Sequence, residues 1–366
     1  VAVGYSALTT TTTGSSNTAV GKMALYANTT GGANVAVGKE ALKANTTASN
    51  NTAVGYQSQE ANTTGAQNSS LGLHALRFNT TGADNTAVGH SALEANTSAS
   101  NNTAMGKNSL AANTTGANNV SVGRSALTTN TTGANNVGIG FQALYTNNAS
   151  DNTAVGHNAL FNNTSGTSNT AFGKSAGENV TTGTFNTLIG GLAGDAITIG
   201  SNNVAIGYAA LSTDDNGSST VAIGDRALTA QNATGGSANA YYNTAVGCVS
   251  GLAVTTGYYN TFFGAKSGDA TTTGVQNTFI GYNVDGSGVG VNNEILLGSN
   301  ITGGGTNTVR IGTDGGNATL GLDGSDTSWA AASDERLKKD IVNSTVGLSF
   351  INALRPVTFK WNAKNA

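Results

Sequence analysis

The chain has 366 residues and a net charge of -3, with 10% charged residues, 51 glycines and one proline. This balance predicts no nucleic-acid partner, and no apolar run is long enough to span a bilayer, so membrane insertion is not expected. The single cysteine, Cys248, excludes an internal disulfide framework. Because the chain opens at Val1 within a motif, we expect it to be a piece of a longer protein.

A short motif, typified by Asn85–Gly89 (NTAVG), recurs along the chain. Its last residue, here called the repeat glycine, returns every 17 residues except for single steps of 16, 23 and 14. The 19 repeat glycines are Gly4, Gly21, Gly38, Gly55, Gly72, Gly89, Gly106, Gly123, Gly140, Gly156, Gly173, Gly190, Gly207, Gly224, Gly247, Gly264, Gly281, Gly298 and Gly312. A constant period is the signature of units that stack on one another. We therefore predict a repeat shaft over residues 1–312.

The sequence of one repeat unit predicts a strand, a turn, a second shorter strand or turn edge, and another turn. Thr18 and Val20 alternate with Ala19, and Val replaces the Thr in several units, so we expect the Thr/Val face to point inward. Ala24–Leu25 suits the second short strand or turn edge. Asn28–Gly31 (NTTG) is typical of a turn, since Asn and Gly tolerate left-handed backbone angles.

Two further positions of the unit are informative. Asn stands four residues before the repeat glycine from Asn17 to Asn203 without a break, and stacked amides can bond along such a ladder. The residue after the glycine varies freely, as in Tyr5 and Lys22, which predicts an outward position. Turn chemistry explains the Asn-x-Thr/Ser sequons at the same period, which would carry glycans only in a eukaryotic secretory pathway. These sequons start at Asn28, Asn45, Asn62, Asn79, Asn96, Asn113 and Asn130.

The motif Val204–Gly207 (VAIG), repeated at a fixed period, resembles the head repeat of trimeric autotransporter adhesins. It is equally similar to the repeats of phage tail fibres and related bacterial surface fibres. The resemblance implies a left-handed parallel β-roll built from three chains. The fold class expected is therefore all-β, a parallel β-solenoid of 17-residue coils in a homotrimeric fibre. The family's period is shorter than 17, so the turns are expected to differ.

The repeat changes character near residue 173, where Ala-Leu gives way to Ser/Ala-Gly, as in Ser175–Gly177. An insertion at 225–246 adds six residues, and aromatic residues become frequent. One interpretation is a packed loop or a changed roll diameter. The other is a patch that contacts carbohydrate or a receptor. The candidate ligand-binding residues are Tyr241, Tyr242, Tyr258 and Tyr259.

The repeats stop after Gly312, and residues 313–332 are expected to be a linker. Ser333 is a suitable N-cap, with Asp334 and Glu335 in the first helical turn, so a short helix is predicted there. The same stretch, with Leu354–Trp361 (LRPVTFKW), closely resembles the intramolecular chaperone domain at the end of endosialidases and phage tail spikes.

This resemblance implies that the segment trimerises the fibre and then cuts itself off. The family uses a serine and a lysine five residues later, which match Ser333 and Lys338 here. A lysine with a lowered pKa can serve as the base for such a serine. Residues 333–366 are expected to be a truncated chaperone domain, because the family's domain is longer.

The remaining candidate residues, three histidines and two adjacent aspartates, do not suggest a metal site, a cofactor or catalysis on a substrate. His74, His90 and His157 stand at variable outward positions in coils expected to be distant. The carboxylates of Asp214–Asp215 lie beside Asn216–Gly217, which is typical of a turn rather than of a glycosidase pair.

The function that the sequence favours is a structural and adhesive extracellular fibre. We expect a trimeric phage tail fibre or spike shaft that presents a surface to a host-cell glycan or protein receptor. A bacterial cell-surface adhesin or filament of the same build is one alternative. An ice- or surface-binding solenoid is another, suggested by Thr pairs such as Thr29–Thr30. The one enzymatic activity expected is self-cleavage at Ser333.

Overall fold

The computed structural model describes residues 1–232 and 241–322, together with the backbone of Ala330–Ala331. These residues form strands and turns, and none of them lies in a helix. The strands are β1 (Ala2–Val3), β2 (Thr18–Val20), β3 (Val35–Val37), β4 (Thr52–Val54), β5 (Ser69–Leu71), β6 (Thr86–Val88), β7 (Thr103–Met105), β8 (Val120–Val122), β9 (Val137–Ile139), β10 (Thr153–Val155), β11 (Thr170–Phe172), β12 (Thr187–Ile189), β13 (Val204–Ile206), β14 (Val221–Ile223), β15 (Thr244–Val246), β16 (Thr261–Phe263), β17 (Thr278–Ile280), β18 (Val284–Asp285), β19 (Ile295–Ser299), β20 (Ile301–Thr302), β21 (Thr308–Thr313), β22 (Gly316–Gly321) and β23 (Ala330–Ala331).

One strand belongs to each repeat glycine, and successive strands pair in parallel. Thr18, Ala19 and Val20 lie opposite Val35, Ala36 and Val37, and the same register continues to β21. Nineteen such strands bound 18 coils, and a strand spacing of ~4.8 Å gives a solenoid roughly 90 Å long. The predicted parallel β-solenoid is confirmed.

The buried face of each strand is the opposite of the one predicted. Ala19 in the middle of β2 is fully buried, whereas Thr18 and Val20 on either side are half-buried. The alternation was predicted correctly, but its phase is wrong by one residue, which exchanges the two faces. A 17-residue coil is narrow, and its centre takes one strand side chain, such as Ala19, together with Ala24 and Leu25 from the facing wall.

Of the two alternatives predicted for Ala24–Leu25, a second short strand or a turn edge, the structure shows a turn. Leu25 has a φ of 50°, in the left-handed region, and the equivalent residue of most coils does the same. Its N–H still bonds to the next coil, donating to the Ala41 oxygen at 3.0 Å. Burial of the leucine side chain offsets the cost of this backbone conformation.

The repeat glycines are fixed by backbone contact between coils. Gly21 has a φ of +135°, and a Cβ added to it would lie 2.5 Å from the carbonyl oxygen of Gly38. Only glycine fits both the angle and the approach. The same contact recurs from coil to coil, which explains why glycine marks the period.

Two ladders of buried asparagines run along the solenoid. In the strand-side ladder, the Asn34 N–H donates to Asn17 Oδ1 at 2.9 Å, and Asn17 Nδ2 donates to the Gly31 oxygen at 2.8 Å. This ladder was predicted, although its main acceptor bond comes from the backbone N–H rather than from the neighbouring amide. The turn-side ladder was missed.

The turn-side ladder consists of the sequon asparagines and two more. Asn45 Nδ2 donates to Asn28 Oδ1 at 2.9 Å and to the Ala48 oxygen at 3.1 Å. All of its members are fully buried, so they are core residues as well as turn residues. They are Asn28, Asn45, Asn62, Asn79, Asn96, Asn113, Asn130, Asn147 and Asn163.

The last coils are closed by a carboxylate and a hairpin. Glu294, fully buried, takes the strand-side ladder position and accepts bonds from the N–H groups of Ser287 at 3.1 Å and Gly305 at 2.9 Å. β18 and β20 form a separate two-stranded parallel sheet. β21 pairs antiparallel with β22, which covers the edge of the last parallel strand.

Candidate functional site

Three of the four candidate tyrosines form one exposed cluster. The rings of Tyr242 and Tyr259 stack with centroids 5.5 Å apart and an interplanar angle of 18°. Tyr258 meets Tyr259 edge-on at 5.0 Å. These three side chains are 54%, 50% and 44% exposed for Tyr242, Tyr259 and Tyr258. The stack forms because Tyr242 and Tyr259 occupy the same position of adjacent coils, five residues before Gly247 and Gly264.

The fourth candidate, Tyr241, is buried at 7% exposure. Its N–H donates to the Ser218 oxygen at 3.1 Å, and its carbonyl accepts from the Tyr259 N–H at 2.8 Å. Tyr241 is therefore a buried residue whose backbone hydrogen bonds hold the chain in place next to the cluster. Residues 233–240 of the insertion lie outside the described residues.

The cluster has the properties of a shallow recognition surface. Each tyrosine offers an apolar ring and a hydroxyl that can donate or accept a hydrogen bond. Two stacked rings with a third at right angles leave faces and edges open to the apolar side of a sugar ring. Two other aromatic residues of this region, Phe262 and Phe279, serve packing instead, because both are fully buried, with ring centroids 5.3 Å apart.

A second surface, a groove of about 480 Å³ on the first coils, was not predicted from the sequence. Tyr26 and Phe78 stand at its ends, 37% and 45% exposed, with small side chains between them. Arg77 Nε lies 2.9 Å from Glu60 Oε2, and the guanidinium sits 4.8 Å from the Phe78 ring centroid. The available signal was the run of alanines at the 17-residue period, Ala27, Ala44 and Ala61.

The histidines do not form a metal site. His74 and His90 were expected in distant coils, which is wrong for this pair, since they lie in adjacent coils with ring centroids 6.4 Å apart. His74 Nδ1 lies 3.6 Å from Glu94 Oε1. Within residues 1–232 and 241–322, no group of three or more His, Cys, Asp and Glu side chains could hold a metal ion.

Asp214 and Cys248 each contact neighbouring polar groups of the solenoid. Asp214 is fully buried, accepting from the Gly217 N–H at 2.8 Å and from Gln231 Nε2 at 2.7 Å. Its carboxylate therefore organises a turn. Cys248 is exposed, with its Sγ 3.9 Å from Asp225 Oδ2.

In the recurring threonine pairs, such as Thr29–Thr30, the hydroxyl of the first threonine is used in hydrogen bonds between coils. Thr29 Oγ1 donates to the Thr46 oxygen at 3.0 Å, and Thr46 Oγ1 donates to the Thr63 oxygen at 3.1 Å. These residues lie in turns, outside the strands. The hydroxyl of the first threonine of each pair therefore binds neighbouring coils together, whereas the second threonine, such as Thr30 or Thr47, is exposed in the turn.

The predicted self-cleavage pair, Ser333 and Lys338, lies outside the described residues. Residues 333–366 match the family model described as chaperone of endosialidase. No curated protein and no solved structure gives a significant match. In the part of the chain that the structure describes, no helix could cross a membrane. A long β-solenoid with such a chaperone segment fits a structural protein of the phage tail fibre type.

Proposed function

We propose that this chain is the shaft of a homotrimeric extracellular tail fibre that presents a receptor-binding surface to a host cell. The observation that carries the proposal is the chaperone-of-endosialidase segment at 333–366, which follows a solenoid of stacked coils. A bacterial surface fibre of the same build is the alternative. The chaperone match favours the phage fibre.

The outward face of the strands supports a trimer. The residue before every repeat glycine is apolar, and these side chains form a continuous strand stripe on the outside of the coil. Leu71 and Phe263 are 52% and 55% exposed. The stripe consists of Val3, Val20, Val37, Val54, Leu71, Val88, Met105, Val122, Ile139, Val155, Phe172, Ile189, Ile206, Ile223, Val246, Phe263, Ile280, Leu297 and Ile311. Contiguous apolar surface of this extent is typical of an interface.

Three chains that meet along this stripe would bury it on a common axis. The narrow core of each coil holds mostly alanine and leucine side chains, such as Ala19 and Leu25, so burial of the stripe would add a second apolar layer. The tyrosine cluster of Tyr242, Tyr258 and Tyr259 would then be present three times. Threefold presentation strengthens weak receptor contacts through avidity.

Two charges placed in the stripe test the trimer. Ile139→Lys with Val155→Lys should reduce the native mass from three chains to one, because burial of two unpaired ammonium groups is costly. The matched control is Thr64→Lys with Thr81→Lys, at exposed turn positions of neighbouring coils. Native mass spectrometry reads the result. A native mass of one chain for the unchanged protein would disprove the trimer.

Self-cleavage is tested by the mass of the denatured chain. In the proposed step, the Lys338 amine accepts the proton of the Ser333 hydroxyl, and the hydroxyl oxygen attacks the carbonyl carbon of the Ala332–Ser333 peptide bond. The C–N bond breaks as its nitrogen takes up that proton, and water then hydrolyses the ester that joins Ala332 to Ser333. The product would be a shaft that ends before residue 333. Ser333→Ala should leave the chain intact. An uncut chain in the unchanged protein would disprove the step without affecting the proposed fibre.

A further inference from the structure

A row of cationic and aromatic side chains runs along one side of the first eleven coils. These residues directly follow the repeat glycines, and we call them the basic column. Five are Lys or Arg, two are His, three are aromatic, one is Leu, and none is acidic. They are Tyr5, Lys22, Lys39, Tyr56, Leu73, His90, Lys107, Arg124, Phe141, His157 and Lys174. In a chain with net charge -3 and 10% charged residues, such segregation is specific to this position.

The register of the coils places these residues one above another. Lys22 and Lys174 are nine coils apart, or ~43 Å at a strand spacing of ~4.8 Å. All five cations are exposed. The positive charge of the column is therefore arranged as two neighbouring pairs, Lys22 with Lys39 and Lys107 with Arg124, followed by Lys174.

The cations lie against the rings of the column. Lys22 Nζ is 5.8 Å from the Tyr5 centroid, and Lys39 Nζ is 5.2 Å from that of Tyr56. The Arg124 guanidinium is 5.6 Å from the Phe141 centroid. Cation–π contacts at these distances hold the side chains along the rod axis.

One carboxylate lies beside the column. Glu40 Oε1 is 4.0 Å from Lys39 Nζ, and Gln57 Nε2 donates to Glu40 Oε2 at 2.7 Å. The hydrogen bond from Gln57 holds the pKa of Glu40 below its usual value, with help from nearby lysines, so this group is ionised at neutral pH. With five cations and no acidic residue among its own members, the column is positive.

We infer that the basic column binds a linear acidic polysaccharide laid along the rod, through the carboxylate or sulfate groups of the polymer. A long polyanion can contact the neighbouring cations Lys22 and Lys39 and, farther along the same chain, Lys107 and Arg124, so that several weak contacts act together. Single-stranded nucleic acid fits less well, because bases need open ring faces and the cations already cover those of Tyr5, Tyr56 and Phe141.

The column and the tyrosine cluster are separable. The column ends at Lys174, whereas Tyr242 and Tyr259 lie just before the strands β15 and β16. The inference goes beyond the proposed receptor surface and does not depend on it. Tyr259→Ala should leave polyanion binding unchanged even if the tyrosine cluster fails as a receptor site.

The test compares two triple variants of equal charge. Lys39→Gln, Lys107→Gln and Arg124→Gln remove column cations, whereas Arg77→Gln, Arg226→Gln and Lys266→Gln remove cations elsewhere on the described surface. The probes are immobilised polygalacturonate, dextran sulfate, neutral dextran and oligo-dT, read by biolayer interferometry at low and at physiological salt. Circular dichroism checks that each variant is folded.

The column variant should bind at least one acidic polysaccharide about tenfold more weakly, and the control variant should change little. Polygalacturonate and dextran sulfate distinguish carboxylate from sulfate recognition, and neutral dextran should not bind. Equal losses in both variants would overturn the inference, because they would indicate general electrostatic attraction. Tighter binding of oligo-dT, or no binding of either polyanion by the unchanged protein, would overturn it as well.

Discussion

Leu25 and Gly194 occupy the same position of their coils, four residues after the repeat glycine, and both have left-handed φ values of 50° and 55°. In the Leu25 coil, leucine fills the centre and Asn28 joins the turn-side ladder. In the Gly194 coil, a Cβ would lie 2.7 Å from Leu188 Cδ2 and 2.8 Å from Ile197 Cδ1. The strand and the turn supply the apolar volume that the leucine supplies elsewhere.

The two core arrangements recur along the solenoid and are not separated by a single boundary. Leu211 and Leu228 restore the first arrangement after Gly194, and the turn-side position becomes polar again, with Asp214 and Gln231. Three of the described coils with Gly at the fourth position have an apolar turn-side residue, Val180, Ile197 or Val254, and the Gly268 coil has Thr271 there. One backbone thus accepts two core solutions of similar volume, which is the condition for tolerance of core changes.

The junction between the two kinds of coil leaves an unpaired group. Asn163 Oδ1 is buried and has no hydrogen-bond partner, because the next turn-side residue is Val180 rather than another asparagine. Earlier members of the ladder each receive a bond from the following amide, as Asn79 Oδ1 does from Asn96 Nδ2 at 2.8 Å. The change of core chemistry therefore costs about the desolvation of one carbonyl group.

The largest effect is expected at the repeat glycines, whose backbone conformation is the same in both kinds of coil. Gly72→Ala, in the coil of Leu76, and Gly190→Ala, in the coil of Gly194, should each destabilise their coil by about 3 kcal/mol or more, since both have a positive φ and close contact with the next coil. Hydrogen exchange of the neighbouring amides measures the local opening free energy. Gly191→Ala is the control, with its nearest neighbour, Tyr208 Cδ2, at 3.6 Å. Unequal losses in the two coils would show that their backbones are not equivalent.

The exchange of core solutions can be tested directly. Gly194→Leu should destabilise the coil by about 1–3 kcal/mol through overpacking against Leu188 and Ile197. Addition of Leu188→Ala and Ile197→Asn recreates the first arrangement and should recover most of that loss in denaturant unfolding. A single variant as stable as the original, or a triple variant less stable than the single one, would contradict the two-solution description.

Removal of one asparagine from the turn-side ladder tests the coils that have leucine at the fourth position. Asn79→Ala deletes the donor to Asn62 Oδ1 at 2.8 Å and the acceptor for Asn96 Nδ2. We expect a loss of about 1–3 kcal/mol, because buried polar groups on both sides become unpaired. Thr81→Ala, at an exposed position of the same turn, is the control and should change stability little. Equal effects of both substitutions on thermal unfolding would argue against an energetic role for the ladder.

The smallest effect concerns the last coils and depends on pH. Burial raises the pKa of Asp285 from 3.8 to about 7, assisted by the neighbouring carboxyl of Asp269. The folded state therefore retains a proton that the unfolded state loses, so this contribution is present below about pH 4 and disappears as the pH rises to about 7. After solvent screening we expect a change on the order of 1 kcal/mol.

Exchange measured at the amides near β18 between pH 4 and 8 should show this decline, after correction for the intrinsic exchange rate. Asp285→Asn should flatten it, while amides of the first coils follow a different profile in both proteins. A decline that persists in the Asp285→Asn protein would assign it to other groups.

The sequence predicted the period, the parallel stacking and the strand-side ladder, because glycine and asparagine mark positions where backbone geometry leaves few choices. It did not predict the phase of the strand, since both the Thr/Val face and the Ala face alternate regularly. Only the width of the coil decides that Ala19 is inside and Val20 is outside. The order in the sequence does not show that width.

The sequence suggested the four tyrosines as candidates but not their arrangement. The stacking of Tyr242 on Tyr259 follows from their 17-residue spacing. The burial of Tyr241 depends on the path of the enlarged coil and could not be read from the spacing. The basic column was visible in the sequence, but the residues after the repeat glycines were interpreted only as variable, and their shared sign of charge was overlooked.

The burial of the turn-side asparagines has a consequence for how the protein can be made. Asn28, Asn79 and Asn130 lie in sequons, yet their amide nitrogens donate within a closed core. An oligosaccharyltransferase meets a chain before it has folded, and a sugar attached to one of these nitrogens could not be accommodated afterwards. Secretion from a eukaryotic cell would therefore convert a correctly encoded polypeptide into one that cannot stack its coils, whereas a bacterial cytoplasm imposes no such conflict.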